Sequence, residues 1–224
     1  MKKMLTKAGL AALIDHTFLK AAGTADDLAK LCAEAKRYRF ACAMVNPCQV
    51  PLAVRLLAPG RVRVGTVINF PLGQDRVESA VAAAALAIRD GARDIDFVLD
   101  VRKLKFGPAR ELEADLAAMA GACRRPGVVS KLILECCYLT DREKIKACRM
   151  AQKAGFDFVK TSTGFGSGGA TVHDVALMRR TVGPTMGVKA AGGIRTLADA
   201  RALIAAGATR LGCSASVAIL AELA

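Results

Sequence analysis

Short apolar runs alternate with longer amphipathic stretches along the whole chain. Eight of the runs read as strands, over residues 13–15, 42–45, 62–68, 94–99, 131–136, 157–160, 187–189 and 209–212. They recur at intervals of about 20 to 40 residues, the length of a strand-loop-helix unit. Between them apolar residues fall at i, i+3, i+4, which predicts helices over 26–37, 76–89 and 108–123. Thr140-Asp141-Arg142-Glu143 has the form of a capping box opening another helix: the threonine side chain and the glutamate satisfy each other's free backbone donors. Gly91, Gly155 and Gly207 each stand just before a strand, where a helix should stop.

Eight such units in 224 residues predict a compact (β/α)8 TIM barrel, slightly under the usual size of about 250 residues. No composition break or linker divides the chain, so residues 1–224 read as a single domain. An open doubly wound sheet would use the same alternation. The polar residues at strand ends favour the barrel, because they occur all along the chain, from Asp15 to Ser214. A barrel's active face requires that distribution, whereas an open sheet gathers such residues at one crevice.

Composition narrows the class. The chain is 53% hydrophobic, enough for a large single core, and its eight cysteines include no Cys-x-x-Cys pair. Several lie inside apolar runs, so the cysteines read as small buried hydrophobes in a reducing compartment, which implies the cytoplasm and neither disulfides nor zinc. Lys2-Lys3 followed by apolar residues 8–14 faintly imitates a secretion signal, but the stretch is short and Asp15 cuts it, so export is not expected. No run approaches the ~20 apolar residues of a membrane span. The formal charge of +13 comes from scattered basic residues, and with no tryptophan and two tyrosines the chain lacks stacking platforms for bases. A well-solvated surface is the simpler cause, and no nucleic-acid partner is expected.

Two lysines are out of place. Lys160 and Lys189 each close an apolar run and are each followed by a loop of small residues and glycines. A lysine seldom goes inside unless something compensates the desolvation of its charge. Strand alternation shows where these charges point, because residues two apart share a face. Ile95, Phe97 and Leu99 make one apolar face, which turns Asp96 into the barrel. The same reasoning puts Leu132, Leu134 and Cys136 outward and Lys131 and Glu135 inward, and it packs Val159 and Val188 outward beside the two lysines.

Such charges can pair off as a buried ion network, and that is the favoured reading for Lys131 and Glu135. For the other three a catalytic reading is sharper. A lysine beside another cation is easier to deprotonate, so Lys160 would form a Schiff base while Lys189 lowers its pKa and relays protons. Asp96 would hold a water or a substrate hydroxyl as acid/base partner. The loops Thr163-Gly164-Phe165-Gly166-Ser167-Gly168-Gly169, Gly192-Gly193-Ile194-Arg195 and Gly212-Cys213-Ser214 can turn N–H groups toward an anion, and the last two strands of a barrel often carry a phosphate site. Metal chemistry has little support, since His16 and His173 are the only histidines and no ligand-spaced cluster surrounds either. His173 reads as part of the first turn of a helix. No cofactor is expected, and neither a Ser-His-Asp arrangement nor a P-loop is apparent.

Ile14-Asp15-His16-Thr17, Val45-Asn46-Pro47, Asn69-Phe70-Pro71-Leu72-Gly73, Asp94-Ile95-Asp96, Phe158-Val159-Lys160-Thr161-Ser162-Thr163-Gly164-Phe165 and Gly187-Val188-Lys189-Ala190-Ala191-Gly192-Gly193-Ile194-Arg195-Thr196 resemble, in order, the signature stretches of the deoxyribose-phosphate aldolase family. The resemblance implies a metal-independent class I aldolase on a (β/α)8 barrel. Its reaction would be reversible cleavage of 2-deoxy-D-ribose 5-phosphate to D-glyceraldehyde 3-phosphate and acetaldehyde, within deoxyribose phosphate catabolism. It implies Lys160 as the Schiff-base lysine, Lys189 as the second catalytic lysine and Asp96 as the proton-relaying aspartate. Thr163, Gly164, Gly192, Gly193 and Ser214 fall at substrate and phosphate positions, and Asp15 and Thr17 at the sugar end. Partners would be small sugar phosphates and aldehydes, with a homo-oligomer, dimer or tetramer, as the assembly. The chain departs from the family pattern at Asp100, where many members have asparagine, at Met44 in place of a cysteine, and at Ala215 in place of a second serine. It also ends at Ala224, without the terminal tyrosine that some members use in proton transfer. The rival readings are another sugar-phosphate barrel, an isomerase or epimerase, and a non-catalytic barrel that binds phosphates or nucleic acid.

Overall fold

The computed structural model describes residues 5–223; the Lys2-Lys3 pair and the terminal Ala224 lie outside the described residues. Strands β1 (Ile14–Thr17), β2 (Cys42–Val45), β3 (Arg63–Ile68), β4 (Asp94–Val98), β5 (Val129–Ile133), β6 (Phe158–Lys160), β7 (Gly187–Ala191) and β8 (Arg210–Cys213) pair in sequence order. All pairs are parallel, and β8 returns to β1 to close the barrel. The open-sheet alternative is thereby excluded. Around it lie α1 (Lys7–Ala11), α2 (Ala25–Tyr38), α3 (Val50–Leu57), α4 (Val77–Arg89), α5 (Val101–Phe106), α6 (Ala109–Ala122), α7 (Asp141–Ala154), α8 (Val172–Val182), α9 (Leu197–Ala205) and α10 (Ser216–Ala221). Among the described residues no helix is long and apolar enough to cross a membrane.

Local signals act as their chemistry requires. Thr140 and Glu143 form the predicted capping box of α7, and Gly155 ends that helix in the left-handed region at φ 88°. Asp100 caps α5 by accepting the Lys103 N–H at 2.8 Å, a local reason for a carboxylate at that position. His173 lies in the first turn of α8.

The apolar strand faces bury against the helices: Ile95, Phe97, Leu132, Val159 and Val188 are all fully buried. His16 also points this way. Its Nδ1 meets Ser216 Oγ and its Nε2 meets Glu34, each at 2.9 Å, so it ties α2 and α10 to β1. Two expectations need correction. β5 stops at Ile133 rather than residue 136, because Glu135 takes a left-handed conformation (φ 43°, ψ 67°) that breaks the pleat. And six cysteines are buried, as small apolar side chains should be, but Cys48 and Cys137 are exposed; all eight are free thiols.

Inside the barrel, long charged side chains need room, and two glycines supply it. A Cβ on Gly65 would come within 2.7 Å of Cys42 Sγ and 3.0 Å of Asp94 Cβ. One on Gly212 would come within 3.0 Å of Lys189 Cε.

Candidate active site

Register sets the centre. Lys160 on β6 pairs directly with Lys189 on β7, and Asp96 on β4 pairs with Lys131 on β5, so all four side chains point into the barrel as strand parity requires. Asp96 Oδ2 accepts from Lys160 Nζ at 3.0 Å and from Lys189 Nζ at 2.8 Å. Its other oxygen lies 3.0 Å from Lys131 Nζ. Lys189 Nζ also stands 2.5 Å from Asp15 Oδ2, and Arg210 holds Asp15 Oδ1 at 2.8 Å. Lys131 reaches Asp94 at 2.5 Å, and Arg63 closes the far end on the same carboxylate. None of Asp15, Asp94, Asp96, Lys131 and Lys189 has any exposed surface, and Lys160 is 3% exposed.

Charge and burial then separate three lysines that look alike in sequence. Burial disfavours the ammonium form of each. At Lys160 burial dominates and the repulsion of Lys189 and Lys131 adds to it; Asp96 opposes, and the amine falls from the ordinary 10.5 to about 8. At Lys189 burial pulls the same way, but Asp15 and Asp96 outweigh it and hold the amine above its usual value. Lys131, against Asp96 and Asp94, is likewise held above the ordinary value in spite of its burial. Asp96 stays well below the ordinary carboxylate range, because the three lysines overcome the effect of its burial. Asp15 is lowered in the same way, by Lys189, Lys131 and Arg210.

Of this network Lys160 alone opens into a cavity of ≈ 590 Å³ at the C-terminal end of the strands. Thr17, Thr163, Gly164, Gly192, Gly193 and Ser214 line the same cavity, so six of the predicted substrate positions meet there. Gly164, Gly192 and Gly193 have φ of 88°, 86° and 76°, a region that L side chains rarely adopt. Among the described residues their N–H groups and that of Ser214 donate to no protein acceptor, which leaves four donors around one space. Asp15 lies beneath this floor and not in it: it meets Lys189, and its backbone oxygen accepts from Thr17 Oγ1 at 2.8 Å.

Some of the arrangement escapes sequence reasoning. Glu135 does not meet Lys131; it turns away and accepts from the N–H and hydroxyl of Thr163. Asp94, Arg63 and Arg210 complete the ion network, and of these only Asp94 carried a signal, its position two residues before Asp96. The rim also holds Lys20, Phe18 and Arg195. Helix packing brings His173 within 2.7 Å of Asp141, beside Asp174, a grouping that spacing along the chain did not show. A lysine already fills it, since Lys144 Nζ stands 2.5 Å from Asp174 and 3.3 Å from Asp141.

The family model described as DeoC/LacD family aldolase matches residues 10–221. The chain belongs to this aldolase family. A deoxyribose-phosphate aldolase of Bacteroides thetaiotaomicron is 54% identical over 211 residues, covering 94% of this aldolase and 89% of that protein. One from Caldanaerobacter subterraneus subsp. tengcongensis is 48% identical over 223 residues, covering 99% and 96%. Among solved structures, a tetrameric deoxyribose phosphate aldolase from Aeropyrum pernix superposes with a TM-score of 0.88 at 32% identity, covering 97% of this aldolase and 92% of that chain. The aldolase thus shares both fold and sequence with these proteins over nearly its whole length.

Proposed function

We propose that this aldolase reversibly cleaves 2-deoxy-D-ribose 5-phosphate to D-glyceraldehyde 3-phosphate and acetaldehyde through a Schiff base on Lys160. One observation carries the reading: of three buried lysines in one network, only Lys160 both faces the cavity and has its amine lowered, to about 8. A neutral amine can attack the substrate carbonyl, and water leaves as the imine forms. The hydroxyl on the far side of the breaking C–C bond gives up its proton and becomes the carbonyl of the departing aldehyde, while the protonated imine takes up the bond's electron pair as an enamine. Protonation of the enamine carbon and attack of water then release acetaldehyde and free the amine. Asp96, hydrogen-bonded to both lysines, is placed to move a proton between the reacting carbon and Lys189. The free N–H groups of Gly164, Gly192, Gly193 and Ser214 suit the phosphate, and Lys20 and Arg195 give the rim its positive charge.

The test is borohydride trapping. Reduction after incubation with acetaldehyde or deoxyribose phosphate should fix an adduct on Lys160, mapped by mass spectrometry. An isomerase or a binding barrel would give none, and an adduct on another lysine would overturn the assignment.

We read the protein as cytoplasmic, which its eight unpaired thiols support. We also read it as a homo-oligomer, dimer or tetramer; the exposed Leu72 and Phe106 leave apolar surface for a partner copy, and light scattering on the purified protein decides it.

A further inference from the structure

Glu135 is a buried carboxyl group with no part in the ion network. It is 3% exposed, and it stands in a left-handed conformation unusual for a residue with a side chain. Among the described residues no cation pairs with it. Instead Oε1 accepts the Thr163 N–H at 3.3 Å, and Oε2 accepts the Thr163 hydroxyl in a short hydrogen bond. Thr163 Oγ1 in turn accepts the Phe165 N–H at 3.0 Å.

This arrangement fixes the polarity of one hydroxyl. A threonine hydroxyl has one proton and two acceptor positions. Here the proton goes to Glu135 and one acceptor position to Phe165, which leaves one lone pair, and Thr163 lines the cavity that Lys160 opens into. Only a donor can satisfy it. A phosphate or carbonyl oxygen at that point would face lone pair against lone pair, so the side chain of Thr163 suits a hydroxyl and not the phosphate.

We propose that Glu135 is a positioning residue that holds the Thr163 side chain as an obligate acceptor, so that the site selects aldehydes with a hydroxyl next to the reacting carbonyl. The inference rests on the aldolase reading and on Lys160 as the reacting amine. Glu135→Gln keeps the shape but cannot accept at both positions. With its oxygen on the Thr163 N–H, its NH2 donates to Oγ1 and frees the threonine proton to point into the cavity, reversing the polarity.

The experiment uses the reverse reaction, with acetaldehyde as donor and either glycolaldehyde or methoxyacetaldehyde as acceptor, a pair that differs in whether the oxygen next to the carbonyl can donate a hydrogen bond or only accept one. The wild type should prefer glycolaldehyde in kcat/KM, and Glu135→Gln should lose about tenfold of that preference, the fold-change that the net worth of one hydrogen bond gives. Thr163→Val should lose the same amount, and the double variant no more than either single one. A wild type with no preference, or a Glu135→Gln variant that loses equally on both acceptors, would overturn the role, because a merely structural defect lowers both alike. If Glu135→Gln does not fold, Gly166→Ala serves instead: its Cβ would lie 3.0 Å from Glu135 Cδ and displace the carboxyl, with the same loss of preference expected. Wild-type borohydride trapping, run in parallel, separates failure of this inference from failure of the aldolase reading.

Discussion

Lys160 and Lys189 stand in direct register on adjacent strands and share a single oxygen of Asp96, yet their amines move in opposite directions. The difference lies in Asp15, which meets Lys189 and Arg210 but not Lys160. Lys189 thus has a second carboxylate, and Lys160 only the one that the two lysines share.

The first consequence concerns pH. With Lys160 at about 8, the neutral amine is a minor fraction at pH 7 and grows as pH rises through that value. The rate of borohydride-trapped imine formation should rise about tenfold per pH unit below about 8 and level off above it. A rate that is flat between pH 6 and 7.5 would remove the link between this amine and the step.

Lys189→Leu removes a cation that repels the Lys160 ammonium, so the midpoint of the imine pH profile should move upward. It also strips Asp15 of its closest partner, leaving Arg210. Breaking a buried pair on one side costs about 3 to 5 kcal/mol, which for a protein of this size is a Tm fall of about 10 °C. Calorimetry and the pH profile together check it; an unmoved midpoint would leave Lys189 only a structural part.

Asp96→Asn acts the other way on the amine. Asp96 is what resists the fall of Lys160, so its loss should lower the midpoint of imine formation below about 8 while turnover drops by about 100-fold for want of a proton carrier. Trapping at pH 6.5 should then be faster than in the wild type. Slower trapping with slower turnover would mean that Asp96 only positions the lysine.

Lys131→Met separates architecture from chemistry. Lys131 ties Asp94 to Asp96 and does not line the cavity. The variant should lose about 3 to 5 kcal/mol of stability, read by urea titration, and still give the adduct on Lys160. Loss of the adduct in folded protein would bring Lys131 into the catalytic group.

Gly192→Ala tests the anion cradle. At φ 86°, with Gly169 Cα 3.1 Å from the added Cβ, the loop must shift. KM for deoxyribose 5-phosphate should rise about tenfold, against less than twofold for unphosphorylated deoxyribose, since about 1.4 kcal/mol of strain corresponds to tenfold in affinity. Equal effects on both substrates would argue against a phosphate at this loop.

The eight-fold alternation, the position of each strand to within a few residues, and the inward aim of Lys160, Lys189, Asp96 and Lys131 follow from the sequence alone. Period-two alternation and burial leave each of those side chains one face to point to. The sequence also points to Lys160 as the nucleophile, by motif position; what it cannot supply is the physical reason that this lysine, and not Lys189 or Lys131, has its amine lowered. That depends on carboxylates from distant strands, Asp15 on β1 and Asp94 on β4, whose distances to each amine exist only once the barrel closes. Glu135 is the clearest case: alternation turned it inward toward Lys131, but alternation holds only while the backbone stays extended. One left-handed residue carried its carboxyl across to Thr163, because hydrogen bonds between loops, not strand parity, decide where a side chain beyond the strand end goes.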